Sequence, residues 1–306
     1  MAAWTFSDIP SQQGRSAIVT GTGGLGYETA LALARAGGEV IIAGRNPAKG
    51  AAAVSKIKAE APRASIAFER LDLASLASVE DFAGRMTTAR THVDLLVNNA
   101  GVMTPPTRQT TSDGFELQFG TNYLGHFALT ARLLPLLLKG SAPRVVNLSS
   151  LAHRGGAIHF DDLQWERAYR PWASYGQSKL AMLMFAFELQ RRSDAAGWGL
   201  MSNAAHPGYA RTELIANGPG TDRWLFKLTG FLRPFVSQTA AEGALPTLFA
   251  ATAAEARGGA YYGPDWFYEL KGAPRLAKVM PQARDEIASA KLWTVSESLT
   301  GARFPS

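Results

Sequence analysis

Cysteine is absent from the 306 residues, which excludes disulfides, thiolate nucleophiles and thiolate-held metals together. The five histidines, His92, His126, His153, His159 and His206, show no metal-ligand spacing such as His-x-x-x-His, so no metal site is expected. No apolar run reaches the ~18 residues needed to cross a bilayer; Leu133 to Leu138 is short and interrupted by Pro135. Residues 1–14 have neither a basic start nor an apolar stretch of secretory-signal length. No Lys/Arg block is interleaved with aromatics, so nucleic acid is not an expected partner. No Gly/Ser/Pro-rich linker and no repeat divides the chain. A single soluble domain over 1–306, with a cytoplasmic location, is the expectation.

With 46% hydrophobic and 18% charged residues, the composition is that of an ordinary globule able to bury a core. The net charge of +6 suits an anionic ligand but is equally what keeps a protein soluble. Short aliphatic runs alternate with Ala/Leu-rich stretches of helical length. Strands are predicted at 17–20, 40–43, 66–68, 95–97, 145–148, 200–203 and around 260–262. Helices are predicted near 24–37, 47–60, 75–89, 111–138, 173–195 and 238–253. Strand–helix alternation with continuously apolar strands implies an α/β fold: a doubly wound parallel sheet of Rossmann type, in three layers. Two stretches break the rhythm, an insertion from His153 to Trp172 and a Trp/Phe/Leu-rich segment at about 213–236, the second read as a small lid over the substrate. Residues from about 271 to 306 form a C-terminal extension.

Directly after the first strand stands Gly21-Thr22-Gly23-Gly24-Leu25-Gly26. Glycines here let the backbone turn tightly and approach a pyrophosphate seated at the following helix N-terminus. The second strand ends in Arg45-Asn46, without the acidic residue that grips the ribose hydroxyls of NAD; an Arg suits a 2′-phosphate, so NADP(H) is the expected cofactor. Asp72, followed by Leu73 at the end of the third strand, is placed to accept from the adenine amino group, while Ser75 is the better cap for the next helix.

Tyr175 and Lys179 are four residues apart and share one helix face. A cation beside a phenol favours phenolate, which equips the pair to exchange a proton with a carbonyl or alcohol oxygen.

These motifs together resemble the short-chain dehydrogenase/reductase family, from about Arg15 to Gly272. The resemblance is carried by the glycine turn, Asn98-Asn99-Ala100-Gly101, Asn122 within Thr121 to Phe127, Ser150, Tyr175 to Lys179, and Pro207-Gly208-Tyr209-Ala210-Arg211-Thr212. The long spacer between Ser150 and Tyr175, and the ending Leu292 to Gly301, look like the branch of retinol dehydrogenase-like and WW-domain oxidoreductase-like enzymes, with bacterial carbonyl reductases. One departure stands out: Thr20-Gly21 is followed by one residue fewer than in the family's usual turn. This segment helps hold the NADP phosphate in relatives, so more of that task falls to Arg45.

The resemblance implies a role for each residue. Tyr175 is the general acid for reduction and the general base for oxidation. Lys179 holds the nicotinamide ribose and lowers the phenol pKa, and Ser150 donates to the substrate oxygen. Asn122 holds a water linking Lys179 to solvent. Asn99, Ala100 and Gly101 approach the adenosine ribose; Pro207, Gly208 and Thr212 anchor the carboxamide. His206 reads as a packed histidine.

An apolar pocket is expected from Leu214, Trp224, Leu225, Phe226, Leu228, Phe231, Leu232 and Phe235, joined by Trp165, Tyr169 and Trp172. The substrate is then a hydrophobic ketone or aldehyde, or the matching alcohol. Two rival readings share the cofactor site: a reductase of an activated carbon–carbon double bond, and a non-enzymatic dinucleotide-sensing module. Relatives commonly pair through their fourth and fifth helices, and Ala181 to Phe187 is apolar enough for that, so a homodimer or homotetramer is expected.

Overall fold

A computed structural model of the chain describes residues 3–210 and 237–305. Eight strands form one sheet: β1 (Ser16–Thr20), β2 (Glu39–Gly44), β3 (Ser65–Arg70), β4 (Leu95–Asn98), β5 (Arg144–Leu148), β6 (Met201–Ala205), β7 (Tyr261–Trp266) and β8 (Lys271–Leu276). Their spatial order is β3-β2-β1-β4-β5-β6-β7-β8. All neighbours pair in parallel except β7 with β8. The order reverses between β1 and β4, which opens a crevice at the carboxyl ends of those strands.

Helices cover both faces. The described ones are α1 (Gly24–Arg35), α2 (Pro47–Glu60), α3 (Leu76–Ala89), α4 (Gly125–Leu137), α5 (Pro171–Ala196), α6 (Ala240–Thr252) and α7 (Glu286–Thr300). Successive strand residues feed opposite layers: Ile18 packs with α3, α4, α5 and α7, whereas Ala17 and Val19 pack with α1, α2 and α6. This is the doubly wound architecture that the alternation implied.

The helix starts are set by local chemistry. Asn46 accepts from the Lys49 amide with Pro47 behind it, Ser75 accepts from Ser78, and Thr239 with Glu242 forms a capping box. Asp285 caps α7, and Gly197 and Gly301 close α5 and α7 in the left-handed region.

Two sequence expectations change in detail. The helix expected over 111–138 begins later. The buried Glu116 carboxylate takes the amides of Gln118 and Phe119, and Phe119–Leu124 then winds as a π turn before α4. The C-terminal extension supplies a full edge strand, β8, and α7. Pro274 and Gly272 weaken the strand signal there, but proline is tolerated at a sheet edge.

Helix α7 lies across α4 and α5. Trp293 meets the rings of Phe127 at 5.1 Å, Phe185 at 5.7 Å and Phe304 at 4.4 Å, and Tyr123 and Ser296 share a hydroxyl bond of 2.7 Å. Of the stretch Ala181 to Phe187, read as a pairing face, Ala181 through Ala186 are buried within the single chain and Phe187 is half-buried. Among the described residues no helix is long and apolar enough to cross a membrane, and no cluster of three potential metal ligands occurs.

Candidate active site

The crevice between β1 and β4 widens into a cleft of about 1470 Å³. At one end lies the glycine turn. Gly21 sits at φ 98° and Gly24 at φ 50°, in backbone that favours glycine. A Cβ at Gly26 would overlap the Gly21 carbonyl, so the third glycine lets the helix close against the turn. Gly23 stands at the α1 N-cap and has no side chain to cap the first amides. The result is a shallow, backbone-lined cradle at a helix N-terminus, which suits a diphosphate in both charge and shape.

Gly21, Thr22, Gly23, Gly24 and Leu25 line the cleft, as do Arg45, Asn46, Asp72, Leu73, Asn99, Ala100 and Gly101. Gly26 sits behind them. Arg45 is exposed and makes no ion pair with any described carboxylate. Lys49, one helical turn on, faces the same space; its i+4 spacing from Arg45 was the available signal in the sequence. Asp72 Oδ1 accepts from the Ala74 amide at 3.0 Å, while Ser75 takes the cap.

The loop after β4 is held from beneath. Thr20 Oγ1 accepts from the amides of Asn99 and Ala100 at 2.9 Å each, and Asn99 Nδ2 donates to the Thr20 carbonyl at 2.7 Å. Asn98 Nδ2 donates to Asn147 Oδ1 at 2.9 Å, tying the ends of β4 and β5 together.

At the other end stand Ser150, Tyr175 and Lys179, with Pro207 and Gly208 opposite. Ser150 caps a short 3-10 turn, Leu151–Gly155, and its Oγ accepts from the Ala152 amide at 3.2 Å, which leaves its proton to donate. Tyr175 and Lys179 come from the first turns of α5, and Lys179 Nζ lies 5.9 Å from the Tyr175 ring centre. The ammonium donates once, to the Leu148 carbonyl at 3.0 Å, and keeps two donors for a ligand. Burial pushes Lys179 down to about 8 and the Tyr175 phenol up to about 12, the latter opposed by the Ser150 hydroxyl bond. The resemblance implied a phenol lowered by Lys179. In the free protein desolvation wins instead, because both groups are enclosed.

Asn122 does not line the cleft. It stands behind Gly101, where Oδ1 accepts from the Val102 amide at 2.7 Å and Nδ2 donates to the Val102 carbonyl and to Ser178 Oγ, both at 3.0 Å. Both amide protons are committed, so the side chain acts as a brace between two walls of the site. Of the insertion aromatics only Trp172 reaches the cleft, 6.1 Å from the Tyr175 ring. Trp165 is buried against His159, and Tyr169 donates to Pro105. Thr212 and the apolar residues expected at 213–236 lie outside the described residues. The sequence reading missed Arg154 and Glu269, an ion pair below the site that no motif announces.

Comparison with known proteins gives a consistent answer. The short chain dehydrogenase family profile matches residues 15–220. Human retinol dehydrogenase 13 is 44% identical over 299 residues, covering 96% of this chain and 86% of the relative. The crystal structure of a putative uncharacterized protein from Mycobacterium paratuberculosis is 40% identical with a TM-score of 0.82, each chain covered in full. A putative short chain dehydrogenase from Escherichia coli CFT073, complexed with NADPH, is 26% identical with a TM-score of 0.64, over 83% of this chain and 97% of that one.

Proposed function

The chain belongs to the short-chain dehydrogenase/reductase family, and from that premise we propose that it interconverts a hydrophobic ketone or aldehyde with its alcohol, using NADP(H). The observation that carries this reading is convergence. A hydroxyl, a phenol and an ammonium stand at one end of a cleft whose other end is a diphosphate cradle flanked by cations.

A nicotinamide dinucleotide bound in the cleft supplies the hydride chemistry. The chain's own residues handle the oxygen. Ser150 donates a hydrogen bond to the substrate oxygen and polarises the carbonyl. Tyr175 gives its phenolic proton to that oxygen in reduction and takes it back in oxidation. Lys179 offers its two free donors to the ribose hydroxyls, and its charge stabilises the phenolate left behind. Asn122 fixes Ser178 and Val102 on either side of this group, and Pro207 and Gly208 close the cleft opposite. Thr212 is proposed to complete the carboxamide anchor.

Arg45 and Lys49 favour NADP(H) over NAD(H), because β2 runs into Arg45-Asn46, with Lys49 beyond, where an NAD site would carry an acid for the ribose hydroxyls. Trp172 gives the substrate end an apolar wall, and the name of the retinol dehydrogenase relative fits an apolar alcohol. The test is turnover of a panel of aryl ketones and long-chain aldehydes with NADPH and NADH, beside small polar sugars. Turnover confined to the sugars refutes the substrate class, and equal use of NADH refutes the cofactor preference. Tyr175→Phe is expected to abolish turnover and leave NADPH binding within a few-fold; retained activity refutes the mechanism.

A further inference from the structure

At the tip of the β7–β8 hairpin, Phe267, Tyr268 and Glu269 all lie in the left-handed region, at φ 33°, 54° and 65°. Residues with a Cβ persist there only where their surroundings hold them. The twist leaves Phe267 and Tyr268 exposed and turns Glu269 inward, to 7% exposure. Glu269 Oε2 accepts from Arg154 Nη2 at 2.7 Å and from His206 Nε2 at 3.1 Å, and Oε1 accepts from the Lys278 amide at 2.9 Å. Burial alone raises a carboxyl, but these partners outweigh it and hold Glu269 below its ordinary value.

On the far side of the imidazole, Nδ1 accepts from the Gly208 amide at 3.2 Å. Both bonds are satisfied together by the neutral tautomer with its proton on Nε2. Gly263 is glycine because a Cβ would overlap this imidazole. The Tyr261 ring packs 5.1 Å from His206 and 5.3 Å from His153, and its hydroxyl reaches the Ser150 carbonyl at 3.4 Å. Arg154 belongs to the turn that Ser150 caps, and Gly208 to the turn across the cleft. Glu269, His206 and Tyr261 are not among the cleft-lining residues.

We propose that Glu269 is a positioning residue: it ties the turn bearing Ser150, through Arg154, to the Pro207–Gly208 turn, through His206, and so sets the width of the catalytic end of the cleft. The proposal deepens the functional reading above and rests on it for its kinetic consequence. Glu269 touches neither substrate nor cofactor.

The test compares the parent with Glu269→Gln, Arg154→Met and the double variant. It reads kcat, cofactor dissociation constant, Tm, and amide hydrogen exchange in peptides spanning 150–156 and 205–210. Glutamine keeps the length but cannot serve all three donors. The expected result for Glu269→Gln is a kcat at least tenfold lower with the cofactor dissociation constant within threefold, and faster exchange in both peptides together. Arg154→Met repeats the pattern more weakly, and the double variant is no worse than Glu269→Gln, as for residues acting as one unit. A merely stabilising role lowers Tm and leaves kcat per folded molecule within threefold; that result, or faster exchange confined to residues 265–278, overturns the proposal. A parent that turns over no carbonyl sinks the functional reading instead, and the exchange data then decide by themselves whether Glu269 couples the two turns.

Discussion

His126 Nε2 lies 2.9 Å from Thr20 Oγ1, at the point where β1 meets the glycine turn. The other ring nitrogen, Nδ1, lies 2.8 Å from the Asn122 carbonyl, within the π turn. One assignment satisfies every group: Nδ1–H donates to Asn122, the Thr20 hydroxyl donates to Nε2, and Thr20 Oγ1 accepts from Asn99 and Ala100. A wholly buried histidine thus links the start of α4 to the floor of the dinucleotide cleft.

Thr20→Val keeps the shape and removes this hub. The half-buried Ala100 amide and the buried imidazole nitrogen lose their partner, each worth about 1–3 kcal/mol when left unsatisfied, while the Asn99 amide keeps the Val97 carbonyl at 3.0 Å. Urea denaturation should show a loss of about 3 kcal/mol, and a fluorescence titration should show weaker NADPH binding. A loss confined to a few tenths of a kcal/mol contradicts the hub.

Burial pushes His126 and His153 down to about 4. The unfolded chain therefore binds more protons than the folded one between pH 6.5 and 4, and stability falls as pH falls through that window. For fully enclosed His126 the full effect is on the order of 3 kcal/mol. Chemical denaturation at pH 7 and pH 4.5 should give a smaller drop for His126→Gln than for the parent. Equal drops contradict a neutral His126.

Lys179 behaves in the opposite pH range. Its folded pKa of about 8 lies below the ordinary lysine value, so the buried ammonium costs stability below pH 8 and the cost is relieved as pH rises toward 10.5. In the cofactor-free protein, the parent should gain about 3 kcal/mol relative to Lys179→Met between pH 7.5 and 10.5. A flat difference across that range contradicts the lowered value. The same variant should lose turnover.

The α7 helix covers the α4–α5 face, so Trp293→Ala should cost about 3–5 kcal/mol, as for a large core side chain. Light scattering of a chain ending at Arg284 should show association through the uncovered face. The full chain, with α7 in place, should not pair there. Cross-linking through α4 or α5 in the full chain contradicts this.

Much of the site was legible because its chemistry depends on local spacing. The glycine turn, Arg45 and the Tyr175–Lys179 pair each sit on one element, where three or four residues fix who faces whom. The π turn was not legible, because nothing local distinguishes Asn122 from an ordinary helical asparagine; its brace to Val102 is a tertiary contact. Trp165 and Tyr169 misled for a related reason. An aromatic residue in a long loop signals burial, but the partner decides whether it is buried in the core or along a cleft. The phenol pKa was misread because a neighbouring charge is visible in sequence and the desolvation of both groups is not.

The order of residues by itself determined the α/β alternation, the helix starts at Asn46, Ser75 and Thr239, and the family to which the chain belongs, since short-range backbone preference and side-chain periodicity are written residue by residue. Folding in three dimensions decided the rest: the cover of α7 over α4–α5, the buried His126–Thr20 link and the inward turn of Glu269. Those depend on surfaces brought together from positions 63 to 173 residues apart, and only the packed chain removes the water that sets their energies.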